Sequence, residues 1–164
     1  MNTGIFKKAY PVIFIFFYLL LSTVPLGAND RFIDNGDGTV TDRKAGLMWA
    51  QTDNQFDILW KQARSWSKND FPDSIPRKYE NWRLPTLNEL ESLFIQGVNY
   101  DGYETDCGHR AKTIPQIKLS CILIWSSETA LGSPLAFNFN LGNGFAIDAH
   151  EDKGCRALAV RNLK

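Results

Sequence analysis

Hydrophobic positions along the chain fall into one unbroken block followed by several periodic ones. The block is 12–21 (VIFIFFYLLL), preceded by Lys7 and Lys8 and followed by Ser22, Thr23, Gly27 and Ala28. A basic start, a short apolar centre and a small-residue exit form the pattern of a secretory signal peptide. The run is ten residues long, whereas crossing the hydrocarbon core takes about 20. The expectation is a cleaved leader over 1–28, with an uncleaved anchor as the alternative. The periodic pattern lies in 29–164, which is expected to form a single domain.

Within 31–42 a strand, a turn and a second strand are expected. Asn35-Gly36-Asp37-Gly38 supplies the residues that tolerate positive φ between two β-prone runs. Aligning Gly38 with the glycine of a calcium loop leaves Ile33 and Lys44 where carboxylates belong, so the turn reading prevails. Gly46 to Ala50 reads as a short apolar strand. Phe56, Leu59, Trp60, Ala63 and Trp66 recur at helical spacing and predict an amphipathic helix over 57–69, followed by a loop over 71–78. Thr86 and Glu89 have the spacing of a capping box behind Pro85, predicting a helix that turns Leu87, Leu90, Leu93 and Phe94 inward and ends near Gly97. Residues 98–118 show no sustained period and read as a long irregular loop. The remainder reads as β: a strand over 121–125, a loop over 126–134, and an alternating strand with Phe137, Phe139 and Leu141 on one face and Asn138 and Asn140 on the other. A turn at Gly142-Asn143-Gly144, a strand over 145–149 and a last strand over 155–160 complete the chain.

Composition adds exclusions. The chain is 44% hydrophobic and 13% aromatic, which rules out a disordered tail, a collagen-like repeat and a coiled coil. Its formal net charge of zero argues against a nucleic-acid partner, which demands a basic excess. Cys107, Cys121 and Cys155 follow the leader, where disulfides persist. The Cys107–Cys121 pair closes the shortest loop, and Cys121–Cys155 is its rival. A metal site from Cys107, His109, Cys121, His150 and Cys155 lacks any CxxC or HxxxH spacing, so no metal and no other cofactor is expected.

Several of these segments resemble one family. Phe32 to Asp42 (FIDNGDGTVTD), Gly46-Leu47-Met48-Trp49, Trp82-Arg83-Leu84-Pro85-Thr86 with Glu89-Leu90, Trp125-Ser126-Ser127 and Ala159-Val160-Arg161, in this order, are similar to the Lcl C-terminal domain family. The resemblance covers 31–162. It implies an α+β, C-type-lectin-like fold of the formylglycine-generating-enzyme type, with two helices packed on a twisted antiparallel sheet and long irregular loops. It also implies export and surface recognition, since the adhesin that gives the family its name binds sulfated glycans.

The function expected is therefore an exported, non-catalytic recognition domain, periplasmic, on the outer surface or secreted, with a glycan or an envelope or surface protein as partner. A membrane enters only through an uncleaved N-terminal segment. Candidate binding residues are Tyr100 and Tyr103 as stacking faces and Asn138, Asn140 and Asn143 as hydrogen-bonding groups. Arg110, Lys112 and Lys118 form a basic group suited to a sulfate or carboxylate. No nucleophile elbow, HExxH, Walker loop or paired carboxylates are present, so no catalytic residue is assigned. The alternatives are a structural or accessory subunit of an envelope assembly and, by analogy of fold, an oxidase using a cysteine pair and copper.

Overall fold

A computed structural model describes Met1 and residues 31–97, 99–150 and 154–164. Apart from Met1, the leader expected over 1–28 lies outside the described residues, as does Val98. No helix among the described residues is long and apolar enough to cross a membrane.

The first half of the chain contains β1 (Phe32–Asp34), β2 (Thr39–Asp42), β3 (Leu47–Ala50), α1 (Trp60–Ser65), a π turn (Trp66–Asp70), α2 (Phe71–Ser74) and α3 (Leu87–Glu91). The second half is β4 (Tyr103–Glu104), β5 (Arg110–Ala111), β6 (Leu123–Ala130), β7 (Ser133–Asn138), β8 (Asn143–Ala146), β9 (Cys155–Arg156) and β10 (Val160–Asn162). The class is α+β. The strands divide into a four-stranded sheet β1-β2-β3-β10, a second four-stranded sheet β8-β7-β6-β9, and the ribbon β4-β5.

The opening hairpin forms where its turn chemistry predicts. Gly36 and Gly38 take positive φ, and the carboxylates of Asp34 and Asp37 accept the N–H groups of Gly36 and Thr39. Val40, Trp49 and Val160 then stand opposite one another across β2, β3 and β10, all with no exposed surface. They belong to the main core, which also takes Leu90 from α3 and Ile124 and Phe137 from the second sheet. A smaller cluster of Ile58, Ala63, Leu84, Trp125, Ala136 and Ala157 fills the far face of that sheet. The apolar spacing of the sequence is thus explained by two cores sharing one sheet.

The capping box is present: the Glu89 N–H donates to Thr86 Oγ1 at 3.2 Å and the Thr86 N–H to Glu89 Oε2 at 2.8 Å. Arg83 grips both oxygens of the same carboxylate at 2.8 Å each.

Elsewhere local expectations give way to tertiary pairing. The first helix starts at Trp60 because the backbone of Ile58 is already engaged: its N–H donates to Cys155 O at 3.2 Å and its carbonyl accepts Trp125 Nε1–H at 2.7 Å. Phe56, expected on the buried stripe, lies outside the helix and is 55% exposed. The helical run does not stop at Asn69. The π turn shifts its register, so that Phe71 N–H bonds to Trp66 O and Pro72 enters at the start of α2, where it needs no donor. Part of the 71–78 segment expected as loop is therefore α2. The second helix ends at Glu91, short of Gly97, because Ile114 N–H takes the Leu93 carbonyl and Ile95 N–H reaches Lys112 O.

The 126–134 segment expected as a loop is a β-hairpin, with Thr129 opposite Pro134 and Ala130 opposite Ser133 around a two-residue turn. The alternation assigned to 136–141 fails at its end. Asn138 is buried and Leu141 is 69% exposed, because β7 stops at Asn138 and the chain turns there. Asn143 and Gly144, expected in a turn, open β8. The last strand is divided: β9 runs parallel to β6, residues 157–159 cross between sheets, and β10 pairs with β3.

Candidate functional site

The irregular stretch between α3 and β6 is held by a disulfide between Cys107 and Cys121, with Cα atoms 5.3 Å apart. Cys155 is fully buried and takes no part in that bond. The ribbon β4-β5 lies inside the loop's approach. Gly102 precedes it with φ +73°, and a Cβ there would stand 2.2 Å from Ala111 O, so no other residue fits. The far arm of the loop is tied to the strand sheet by a parallel bridge between Thr52 and Lys118, with Lys118 N–H on Gln51 O at 2.9 Å.

Between these arms lies a groove of about 250 Å³, floored by Asp53 and Ser120 and walled by Tyr103 to Asp106 and Lys118. Asp53 is 3% exposed. Its carboxylate accepts the Ser120 N–H at 2.7 Å, the Ser120 hydroxyl at 2.8 Å and the Gln55 N–H at 2.9 Å. Burial pushes this carboxyl above its ordinary range, and the Ser120 and Gln55 bonds with the nearby Arg156 charge only partly offset it. Behind Ser120, Arg156 Nε donates to the same hydroxyl at 3.0 Å, and Arg156 Nη1 pairs with Asp57. The Tyr103 hydroxyl accepts the Leu119 N–H at 2.5 Å, and burial raises its pKa. The Lys118 ammonium sits 4.7 Å from the centre of the Tyr103 ring, and Glu104 and Asp106 stand exposed at the rim.

This arrangement offers several hydrogen-bond acceptors and one ammonium. It suits a ligand that donates hydrogen bonds, such as a polyol, better than a sulfate, which would face the rim carboxylates.

Of the residues expected to bind, Tyr103 and Lys118 line this groove. The others are placed elsewhere. The Tyr100 hydroxyl donates to Thr113 O at 3.1 Å. The Arg110 guanidinium donates to Asp101 O and Gly102 O at 2.9 and 2.7 Å, so it serves the loop's own carbonyls. Lys112 is half-buried behind it, and Asn140 Nδ2 donates to Arg110 O at 2.8 Å. Asn143 is exposed on β8, and Asn138 is buried at the end of β7. Arg110, Lys112 and Lys118 thus do not form one basic surface in the groove. Cys107 and Cys121, joined to each other, are not available as thiolate ligands, and no group of three or more His, Cys, Asp or Glu side chains among the described residues is placed to hold a metal.

Sequence reasoning missed Asp53, Ser120, Glu104 and Asp106. Asp53 and Ser120 are 67 positions apart, and nothing local to either announces the pairing.

None of the curated proteins compared with the chain matches it. A sequence model of the Lcl C-terminal domain matches residues 38–161. That span includes the second strand of the opening hairpin, the Trp82–Glu89 segment with its capping box, the disulfide-tied loop and the final crossover between sheets. By this match the chain belongs to the Lcl C-terminal domain family.

Proposed function

We propose that the chain is an exported recognition domain of lectin-like build that holds a polyhydroxylated ligand, of the glycan kind, in the groove over Asp53 and performs no chemistry on it. The observation that carries this reading is the rigidity of the groove. Its floor carboxylate is fixed by three donors and its wall is tied back by a disulfide, so acceptors are held in place before a ligand arrives. The polar groups of the floor are engaged with one another: Arg156 donates into Ser120, and Ser120 donates into Asp53. That pattern serves positioning. The secretory pattern at the N-terminus and a disulfide-tied loop both suit an oxidising compartment.

A glycan array probed with the full exported chain tests it. Neutral glycans are expected to be retained and heparin passed over, with retention lost in a Glu104→Gln, Asp106→Asn double variant. Heparin retention that survives this double change, with no neutral glycan bound, would overturn the reading.

A further inference from the structure

The sheet β8-β7-β6-β9 has a face that is only partly covered. Leu123, Asn138 and Asn143 form one row across it, and Trp125, Ala136 and Phe145 form the next row on the same side. Trp125 and Ala136 are sealed by the smaller core. Leu123, Asn138 and Phe145 instead open onto a cleft of about 380 Å³ whose opposite wall is the Cys107–Cys121 disulfide, with His109 at its edge.

Asn138 is the unusual member. It is 8% exposed, and its Oδ1 accepts the N–H groups of Asn140 and Leu141 at 2.8 and 3.1 Å. Those two donors determine which end of the amide is oxygen. They leave Nδ2, a two-proton donor, without a hydrogen-bond partner among the described residues, in a side chain that lines the cleft. Nδ2 is open to the cleft, so it can donate to a molecule that enters there. Beside it the Phe145 ring is 38% exposed, a flat apolar surface on an otherwise uncharged strand.

From this juxtaposition we infer that the cleft is a second binding site, for a compact ring with an apolar face and a neutral carbonyl oxygen on its edge, the chemistry of an N-acetylamino sugar. The ring face lies on Phe145 and the carbonyl accepts from Asn138 Nδ2. The wall of sulfur and hydrocarbon and the neutral amide favour a carbonyl over a charged group, whose hydration they would not replace. The site shares no lining residue with the groove over Asp53, which lies along other positions of the same disulfide-tied segment. It therefore stands independently of the proposal made for that groove.

Titration of the isotope-labelled, oxidised full chain with N-acetylglucosamine, read on the Asn138 side-chain amide pair by NMR, tests this. N-acetylglucosamine is expected to shift that pair and the Phe145 amide in a saturable way, with glucose at least about tenfold weaker for want of the carbonyl. Asn138→Asp keeps an oxygen for the Asn140 and Leu141 N–H groups and removes the donor, so binding should fall by about tenfold or more with the fold retained. Phe145→Ala, at a half-open surface position, should weaken it independently. Equal shifts from glucose, or undiminished binding by both variants, would overturn the assignment. Shifts confined to Tyr103 and Lys118, with Asn138 silent, would overturn it while leaving the Asp53 groove intact as a site.

Discussion

Leu131 holds a left-handed backbone, φ +50°, at the first corner of the β6–β7 hairpin, followed by Gly132 at φ +85°. Two successive positive φ values are the geometry a two-residue hairpin turn favours, because its twist matches that of the strands. Glycine meets that demand without strain and leucine does not, and the Leu131 side chain is wholly exposed, with no packing to compensate. Replacing it with asparagine, which tolerates this region, is therefore expected to raise the stability of the protein by about 0.5–1 kcal/mol. In urea unfolding the midpoint should rise with the slope unchanged; a lower midpoint would show that the leucine makes a contact that matters. The same residue explains why the hairpin escaped sequence reasoning. An Asn-Gly pair would have announced it, whereas Leu-Gly between Ala130 and Ser133, with Pro134 following, reads as an ordinary loop.

At the scale of elements, the parts legible in advance were those whose signal is local. The Gly36–Gly38 turn, the β3 strand and the Thr86–Glu89 box each depend on residues within a few positions of one another, and each formed as expected. The start of the first helix and the end of the second were misjudged because distant donors, Trp125 Nε1–H for the Ile58 carbonyl and Ile114 N–H for the Leu93 carbonyl, take the acceptors that a longer helix would need. The Glu89 cap illustrates how far a local motif extends. Burial pushes its carboxyl up, but the Arg83 fork and the Thr86 N–H outweigh this and hold it below 4.5, the value of a free glutamate. A group whose pKa falls on folding contributes stability that is present above its unfolded value and disappears as the pH drops through the folded one. Glu89→Gln is therefore expected to cost about 1 kcal/mol at neutral pH, discounted because the Arg83 side chain is partly exposed. The difference between variant and parent should shrink as the pH is lowered below 4.5. A constant difference across that range, by urea unfolding, would mean that the carboxylate acts only through its shape.

For the whole molecule, the two sheets are joined by the 157–159 crossover on one side and by the disulfide-tied segment on the other, and both proposed binding surfaces lie along that segment. This is why the site was less legible than the fold. The candidate aromatic and basic residues were sought between α3 and β6, but what they do depends on what they meet across the chain: Arg110 turns to carbonyls of its own loop, and Asp53 arrives from the loop that follows β3. The cysteine pairing could be narrowed but not decided, since it depends on which strands become neighbours. The segment has little regular structure of its own, with two residues in each ribbon strand. Its order therefore rests on the covalent link, on a few bonds such as Leu119 N–H to Tyr103 and Ser120 to Asp53, and on Ala111, Ile114, Ile117 and Leu119, which it buries in the main core. Closing a loop of this length stabilises a fold by about 3 kcal/mol in the chain-entropy picture. A Cys107→Ser, Cys121→Ser double variant is thus expected to lose about that much stability while keeping both four-stranded sheets, whose cores do not include Cys107 or Cys121. Limited proteolysis should then cut first within 99–121, and amide exchange should quicken there before it does in β2, β3 or β6. Uniform loss of protection across the molecule would instead show that the disulfide holds the two sheets together and does more than order the loop between them.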